Sequence, residues 1–369
     1  MRRNTYPALQ ALAAAFLFGA SAPISKLLLH DIEPTLLAGF LYLGSGVGLL
    51  LFRMIRKSTT GAGEAEAKLA HADIPWLAAA ILCGGIAAPI ILLFSLRNTP
   101  AATASLLLNF ECAATTLIAA ILFKESISRR TWVAILCITF AGVLLSTDLS
   151  GTWGFSFSAL GILIACLFWG MDNNFTRNIS AKDPLMIVTV KGFGAGLVSL
   201  GSGFLLGNPL PRFDAVLGAM LLGYMSYGLS IVLFIHAMRG LGAGRTSALF
   251  GTAPIAGIIL SVILFREMPD AAFLAALPVM IIGAIFLVTE QHDHLHRHDA
   301  TVHEHRHAHD DGHHDGHHPN PNDPSISHAH AHVHDAVEHD HQHMPDIHHR
   351  HRHAAESKPE RKALGGVYE

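Results

Sequence analysis

Two sets of side chains in this 369-residue sequence can do chemistry, and they sit in opposite surroundings. The first is histidine. Of 26 histidines, all but His30, His71 and His236 fall between 291 and 353. Most recur as His-x-His: His292, His294, His296 and His298, then His303, His305, His307 and His309, then His328, His330, His332 and His334. His313, His314, His317 and His318 lie between the second and third groups. Neutral imidazole ligates Zn, Ni, Co and Cu. The fixed intervals of a closed zinc site are missing, so the pattern suits weak binding of several ions, with protons competing below about pH 6.5. Acids such as Asp293, Glu304, Asp310 and Asp311 are interspersed. Such a segment has little to bury and is expected to be disordered. An incidental low-complexity extension is the plain alternative.

The second set is polar residues inside apolar runs. Glu111 lies near the middle of one such run, beside Asn109. A carboxyl at that depth needs a partner or a task, and it suits a proton-coupled carrier; a neutral group hydrogen-bonded across helices is the structural alternative. Asp172, Asn173 and Asn174 are consecutive, so they cannot share one helix face. Some must meet the first or seventh helix, or the helix unwinds locally. Oxygen-rich groups of this kind suit a cation or a polar solute, or simply an interhelical hydrogen-bond cluster. Lys191 lies about two turns into the next run and at similar depth, so an Asp172–Lys191 pair is expected. His236 can relay protons or bind metal, although a lone histidine is more often a packing group. Cys83, Cys112, Cys137 and Cys166 make no zinc spacing and read as small core residues.

These residues must be held by membrane helices. The chain is 51% hydrophobic and 14% charged, too apolar for an ordinary soluble domain. Ten apolar stretches of about 18–24 residues follow one another, near 7–28, 35–52, 74–96, 101–123, 131–147, 157–177, 184–206, 214–238, 244–264 and 271–289. In lipid only helices satisfy such runs. The first run contains Pro23 and Lys26 and reads as a helix, not a cleaved leader. With the N-terminus in the cytosol, Arg2, Arg3, Arg53, Arg56, Lys57, Lys68, Lys124, Arg129, Arg130, Arg177, Lys182, Arg239 and Arg245 lie on the cytosolic side. Lys26, Arg97, Arg212 and Arg266 lie opposite. That bias places both termini and the histidine tail in the cytosol.

The sequence also repeats. RNTPAATASLLLNFECAATTLIAAILFKES (97–126) aligns without gaps on RGLGAGRTSALFGTAPIAGIILSVILFREM (239–268). EPTLLAGFLYLGSG (33–46) aligns on DPLMIVTVKGFGAG (183–196). Five helices per unit force the second unit to enter the membrane inverted, an arrangement that places a substrate site near the midplane. Gly192 and Gly196, with Gly44, Gly46 and Gly48 on the matching helix, allow close helix contact. Pro23, Pro89, Pro254 and Pro278 can kink their helices.

The paired units ending in FKES and FREM, and the run APIAGIILSVILFRE (253–267), resemble the EamA family of the drug/metabolite transporter superfamily, over about residues 7 to 289. Glu111 and Cys112 depart from that pattern, which commonly has a helix-breaking proline there. The resemblance implies an integral inner-membrane exporter of amino acids, metabolites or toxic compounds, not an enzyme. No G-x-x-x-x-G-K-[ST] nucleotide loop is present. The expected fold is therefore an all-α integral membrane protein: a first five-helix repeat over 1–148, a second over 149–290, and a tail over 291–369. The expected partners are the lipid bilayer and a small-molecule or metal-ion cargo, with no nucleic acid and with a homodimer left open. No cofactor is required, although divalent Zn, Ni, Co or Cu can bind the tail. Three functions stay open: a divalent-metal exporter, a metabolite or drug exporter, and a membrane-bound metal store, which the inverted repeat disfavours.

Overall fold

The apolar runs become helices wherever the chain is described. The computed structural model describes residues 5–60, 67–122, 129–148, 154–179, 182–241, 246, 249–266, 270–288, 292–298, 301–307, 328–334 and 337–343. The first run holds α1 (Thr5–Gly19) and α2 (Ser21–Leu28), and the second is α3 (Pro34–Thr60). The third holds α4 (Ile74–Ala80), a π-helical segment (Ile81–Ala87) and α5 (Ala88–Leu96). The fourth is split into α6 (Ala101–Leu107) and α7 (Phe110–Leu122). Then come α8 (Arg129–Ser146), α9 (Phe157–Arg177) and α10 (Pro184–Leu205). The eighth run holds α11 (Phe213–Gly223), a second π-helical segment (Tyr224–Leu229) and α12 (Ser230–Leu241). The last helices are α13 (Ala253–Phe265) and α14 (Ala271–Val288).

Seven of these runs are long and apolar enough to cross a bilayer, which makes this a multi-pass integral membrane protein. Ala253–Phe265 and Ala271–Phe286 are shorter apolar helices. Asp172, Asn173 and Asn174 lower the mean hydropathy of α9, which stays continuous for 21 residues all the same. Local signals fix several ends. Ser156 caps α9 by accepting from Ala159 N–H at 3.2 Å. Asp183 caps α10 by accepting from Leu185 N–H at 2.9 Å, with Pro184 in the first turn.

Helix pairing follows the internal repeat. The equivalent helices α3 and α10 pack on one another, as do α8 and α14, and α6 of the fourth run packs on α13 of the ninth. The contact of α1 with α12 is mirrored by that of α9 with α5. The core between the halves is buried leucine, alanine and isoleucine, including Leu36, Leu41, Leu93, Leu107 and Ile138.

Close backbone approach is concentrated on α3. A Cβ added to Gly192 would lie 2.6 Å from Gly46 N and 2.8 Å from Tyr42 O, so α10 and α3 touch backbone to backbone. Of the three glycines on α3, Gly46 faces α10, whereas Gly44 faces Met220 and Gly48 faces Tyr224, on the α11 side. Two residues along a helix turn the face by about 200°, so α3 is wedged between α10 and α11.

Outside the bundle, β1 (Thr147–Asp148) pairs with β2 (Gly154–Phe155). Four short strands are described within the tail. β3 (His292–His298) pairs antiparallel with β6 (Val337–His343), and β4 (Thr301–His307) with β5 (His328–His334). The His-x-His alternation has the period of a strand, and ladder bonds satisfy the backbone of a segment too polar to join a core. In this register His294 stands opposite His341, and His305 opposite His330. His309, His313, His314, His317 and His318 lie outside the described residues.

Candidate functional site

The fourth run breaks at Leu108 and Asn109, without a proline. Asn109 N–H donates to Leu106 O at 3.1 Å, Glu111 N–H to Leu108 O at 3.1 Å, and Cys112 N–H to Asn109 O at 3.2 Å. These three-residue bonds replace the four-residue ladder of an α-helix. The Cys166 thiol of α9 donates toward Leu107 O at 3.7 Å and Leu108 O at 3.9 Å, covering carbonyls released by the break. Asn109 is buried at the turn, and Glu111 sits half-buried in the first turn of α7. In the repeat alignment, 142 residues later, Leu108 and Asn109 fall on Phe250 and Gly251, and a corresponding turn lies one residue further on, at Gly251 and Thr252, before α13. There Thr252 N–H donates to Leu249 O at 3.2 Å, and its hydroxyl to the same oxygen at 2.6 Å. Pro254, in the first turn of α13, has no N–H to extend the ladder backwards.

The third helices of the two halves share a second irregularity. The same alignment carries residues 82–87 onto 224–229, so both π-helical segments occupy one structural position. A π-turn widens the helix and frees carbonyls. Gly84 O accepts from Tyr42 Oη at 2.5 Å and from Trp169 Nε1 at 3.0 Å. In the second half the Ser226 hydroxyl donates to Leu17 O at 2.6 Å. The ring of Tyr227, in the second segment, lies 5.5 Å from that of Tyr42 on α3.

Asp172, Asn173 and Asn174 fan outward from an unbroken α9. Asp172 is 4% exposed and points toward α10, where Lys191 Nζ donates to its Oδ2. Its Oδ1 accepts from Thr176 Oγ1 at 3.0 Å. The carboxylate lies against Gly84, where any Cβ would strike it. Asn173 turns to α7 and donates to Glu111 Oε1 at 2.8 Å and Thr115 Oγ1 at 3.1 Å. Asn174 donates to Thr115 O at 3.0 Å and Gly170 O at 2.8 Å. The partners of the triad are therefore the fourth and seventh runs, and no local unwinding is needed. Glu111 with Asn173, and Asp172 with Lys191, form two polar pairs, both carried in part by α9, beside the broken helix. His236 is half-buried on α12. No group of three His, Cys, Asp or Glu side chains able to hold a metal ion occurs among the described residues.

Sequence reasoning missed Tyr42, Trp169, Thr115 and Gly84.

Broken helices at matched positions of two halves, with acids and a lysine gathered beside one break inside an apolar bundle, define a class of protein: a multi-pass membrane transporter. The chain belongs to the EamA-like transporter family, which matches residues 5–147 and 156–289. It is similar to an "Uncharacterized transporter" of Methanothermobacter thermautotrophicus, 27% identical over 303 residues, covering 78% of this chain and 87% of that one. It is also similar to the "Uncharacterized inner membrane transporter YedA" of Escherichia coli K12, 22% identical over 294 residues, covering 78% and 92%. A solved crystal structure shares the fold with a TM-score of 0.55 at 18% identity, over 77% of this chain and 96% of that one.

Proposed function

We propose that the protein is a secondary-active exporter of the cell inner membrane, built as ten membrane helices in two inverted halves, with both termini cytosolic. It works by alternating access, with Glu111 carrying the coupling proton. The observation that carries this reading is the pair of breaks at Leu108–Asn109 and Gly251–Thr252, with Glu111 two residues beyond the first. The Lys and Arg bias supports the orientation, and a relative named an inner membrane transporter supports the location. The cargo is a divalent transition metal such as Ni, Co or Zn, which the tethered histidines collect and hold at raised local concentration. A second reading, export of amino acids, metabolites or drugs with the tail only sensing or buffering metal, is favoured by the lack of a metal-binding cluster among the described residues.

Glu111→Gln separates the proton from the fold, because Gln keeps an oxygen to accept from Asn173. In energised inverted vesicles the variant is expected to insert normally and lose proton-driven transport. Retained transport removes Glu111 from the coupling role. Growth of cells with and without the protein on a nickel, cobalt and zinc series decides the cargo class. Hypersensitivity without it supports metal, and equal growth supports the second reading.

A further inference from the structure

At the end of the bundle where α3 and α9 finish and α4 and α10 begin, the two halves exchange charges reciprocally. Arg53, from the first half, places Nη1 3.4 Å from Asp183 Oδ2 of the second. Lys182, from the second half, places Nζ 4.0 Å from Asp73 Oδ2 of the first. Between them, Asp183 N–H donates to Ala67 O at 2.9 Å. Both acids are also anchored locally, which fixes where their charges point. Asp183 Oδ1 caps α10, and Asp73 Oδ2 accepts from Ala70 N–H at 2.8 Å. Three of the four charged side chains are only 15–16% exposed, while Arg53 is 49% exposed. Beneath them Leu77 of the first half packs on Ile179 and Ile187 of the second as a small buried cluster apart from the main core. At the opposite end, Arg97–Glu33 and Arg212–Asp214 each stay within one half.

We infer that this is a latch between the halves. It closes one face of the bundle, and its two ion pairs and single strand-like bond must part before that face opens. Its place in a transport cycle rests on the carrier reading above; its existence as a closure does not. Ion pairs suit a reversible fastening, because water re-solvates them when they separate, so that two pairs of modest strength hold a closed state without trapping it.

The test reads closure without any cargo. Ile187→Cys places a thiol at a position that is 4% exposed under the latch. A membrane-impermeant maleimide is applied to full-length protein in right-side-out and inverted vesicles, and labelling of the parent's four native cysteines is subtracted. Arg53→Gln with Lys182→Gln removes both pairs and leaves both helix-capping carboxylates in place. It is expected to raise the labelling rate about fivefold, from one face only, as two such pairs can shift an equilibrium. Raising salt from about 0.05 M to about 1 M should speed labelling in the parent and much less in the double variant, because only paired charges are there to screen. Equal rates in both proteins at both salt levels overturn the latch. If Ile187→Cys does not insert, Leu77→Cys, 8% exposed, reports from the other half. Unchanged labelling with transport intact sinks the latch alone. Faster labelling together with no movement of any cargo sinks the carrier reading and leaves the closure standing.

Discussion

Replacing Lys191 with methionine isolates the worth of the buried pair. In the native protein the Asp172 carboxylate is 4% exposed and has two described polar partners, the Lys191 ammonium and the Thr176 hydroxyl at 3.0 Å. Lys191→Met keeps the side-chain length and leaves the carboxylate with a neutral hydroxyl alone. Stranding one member of a buried pair costs about 3–5 kcal/mol. The Lys191 side chain is 16% exposed, a partial route to water, which places the expectation near the lower end, ~3 kcal/mol. That is roughly a hundredfold in the folding equilibrium. Asp172→Asn should cost less, about 1–2 kcal/mol, because the released lysine can extend its stem toward the headgroups. Asp172→Asn combined with Lys191→Met should recover most of the loss, since replacing both members of a buried pair is often neutral. Unfolding of purified protein in mixed micelles titrated with denaturing detergent gives all four corners of the cycle. Lys191→Met within about 1 kcal/mol of the parent, or a double variant as unstable as that single one, refutes the reasoning.

Gly192→Ala forces a methyl to within 2.6 Å of Gly46 N, and neither helix backbone can yield as a side-chain tip would. A loss of about 1–3 kcal/mol is expected, measured in the same unfolding assay, whereas Ala at Gly201, where nothing lies within 4 Å, should be nearly neutral. Deleting 291–369 should leave a bundle that inserts and unfolds at the parent's midpoint, because the described tail strands pair with one another, β3 with β6 and β4 with β5. Under the metal reading the truncated protein should also need a higher metal concentration for half-maximal transport, at an unchanged maximal rate.

The helices were legible because lipid leaves a long apolar run only one backbone solution; the run 157–177 matches α9 end for end. The depth argument for Asp172 and Lys191 worked for a related reason. Neighbouring helices joined by a short turn run antiparallel, so counting turns from the connection locates partners. The first-half break was hidden. Pro254 advertises its counterpart, whereas the break at Leu108 and Asn109 has no proline, and the thiol that covers its carbonyls comes from α9, far away in sequence. The π-helical segments were hidden too, since Gly84 looks like any small membrane residue until Tyr42 and Trp169 are seen converging on its carbonyl. Arg53 and Asp183 are 130 residues apart, and nothing local marks either as a partner of the other. In the tail, the period-two placement of histidine over 292–298 and 328–334 coincides with the described strands.

The two membrane acids differ in how fully they are committed, and that difference bears on the proposed mechanism. Asp172 is held by a lysine and a threonine and is lodged where Gly84 alone leaves room. Moving it would undo contacts among α9, α10 and the first π-helical segment together. Glu111 receives one described side-chain hydrogen bond, from Asn173, and Asn173 is itself exposed. It also stands in the first turn of α7, beside a break that can flex without disturbing the ladder on either side. A coupling site must exchange partners in every cycle, and a structural clamp must not. The proposed division therefore assigns proton exchange to Glu111 and the clamp to Asp172 with Lys191. The substitutions above separate the two: Glu111→Gln should stop transport in a stable protein, and Lys191→Met should destabilise the protein whatever it carries.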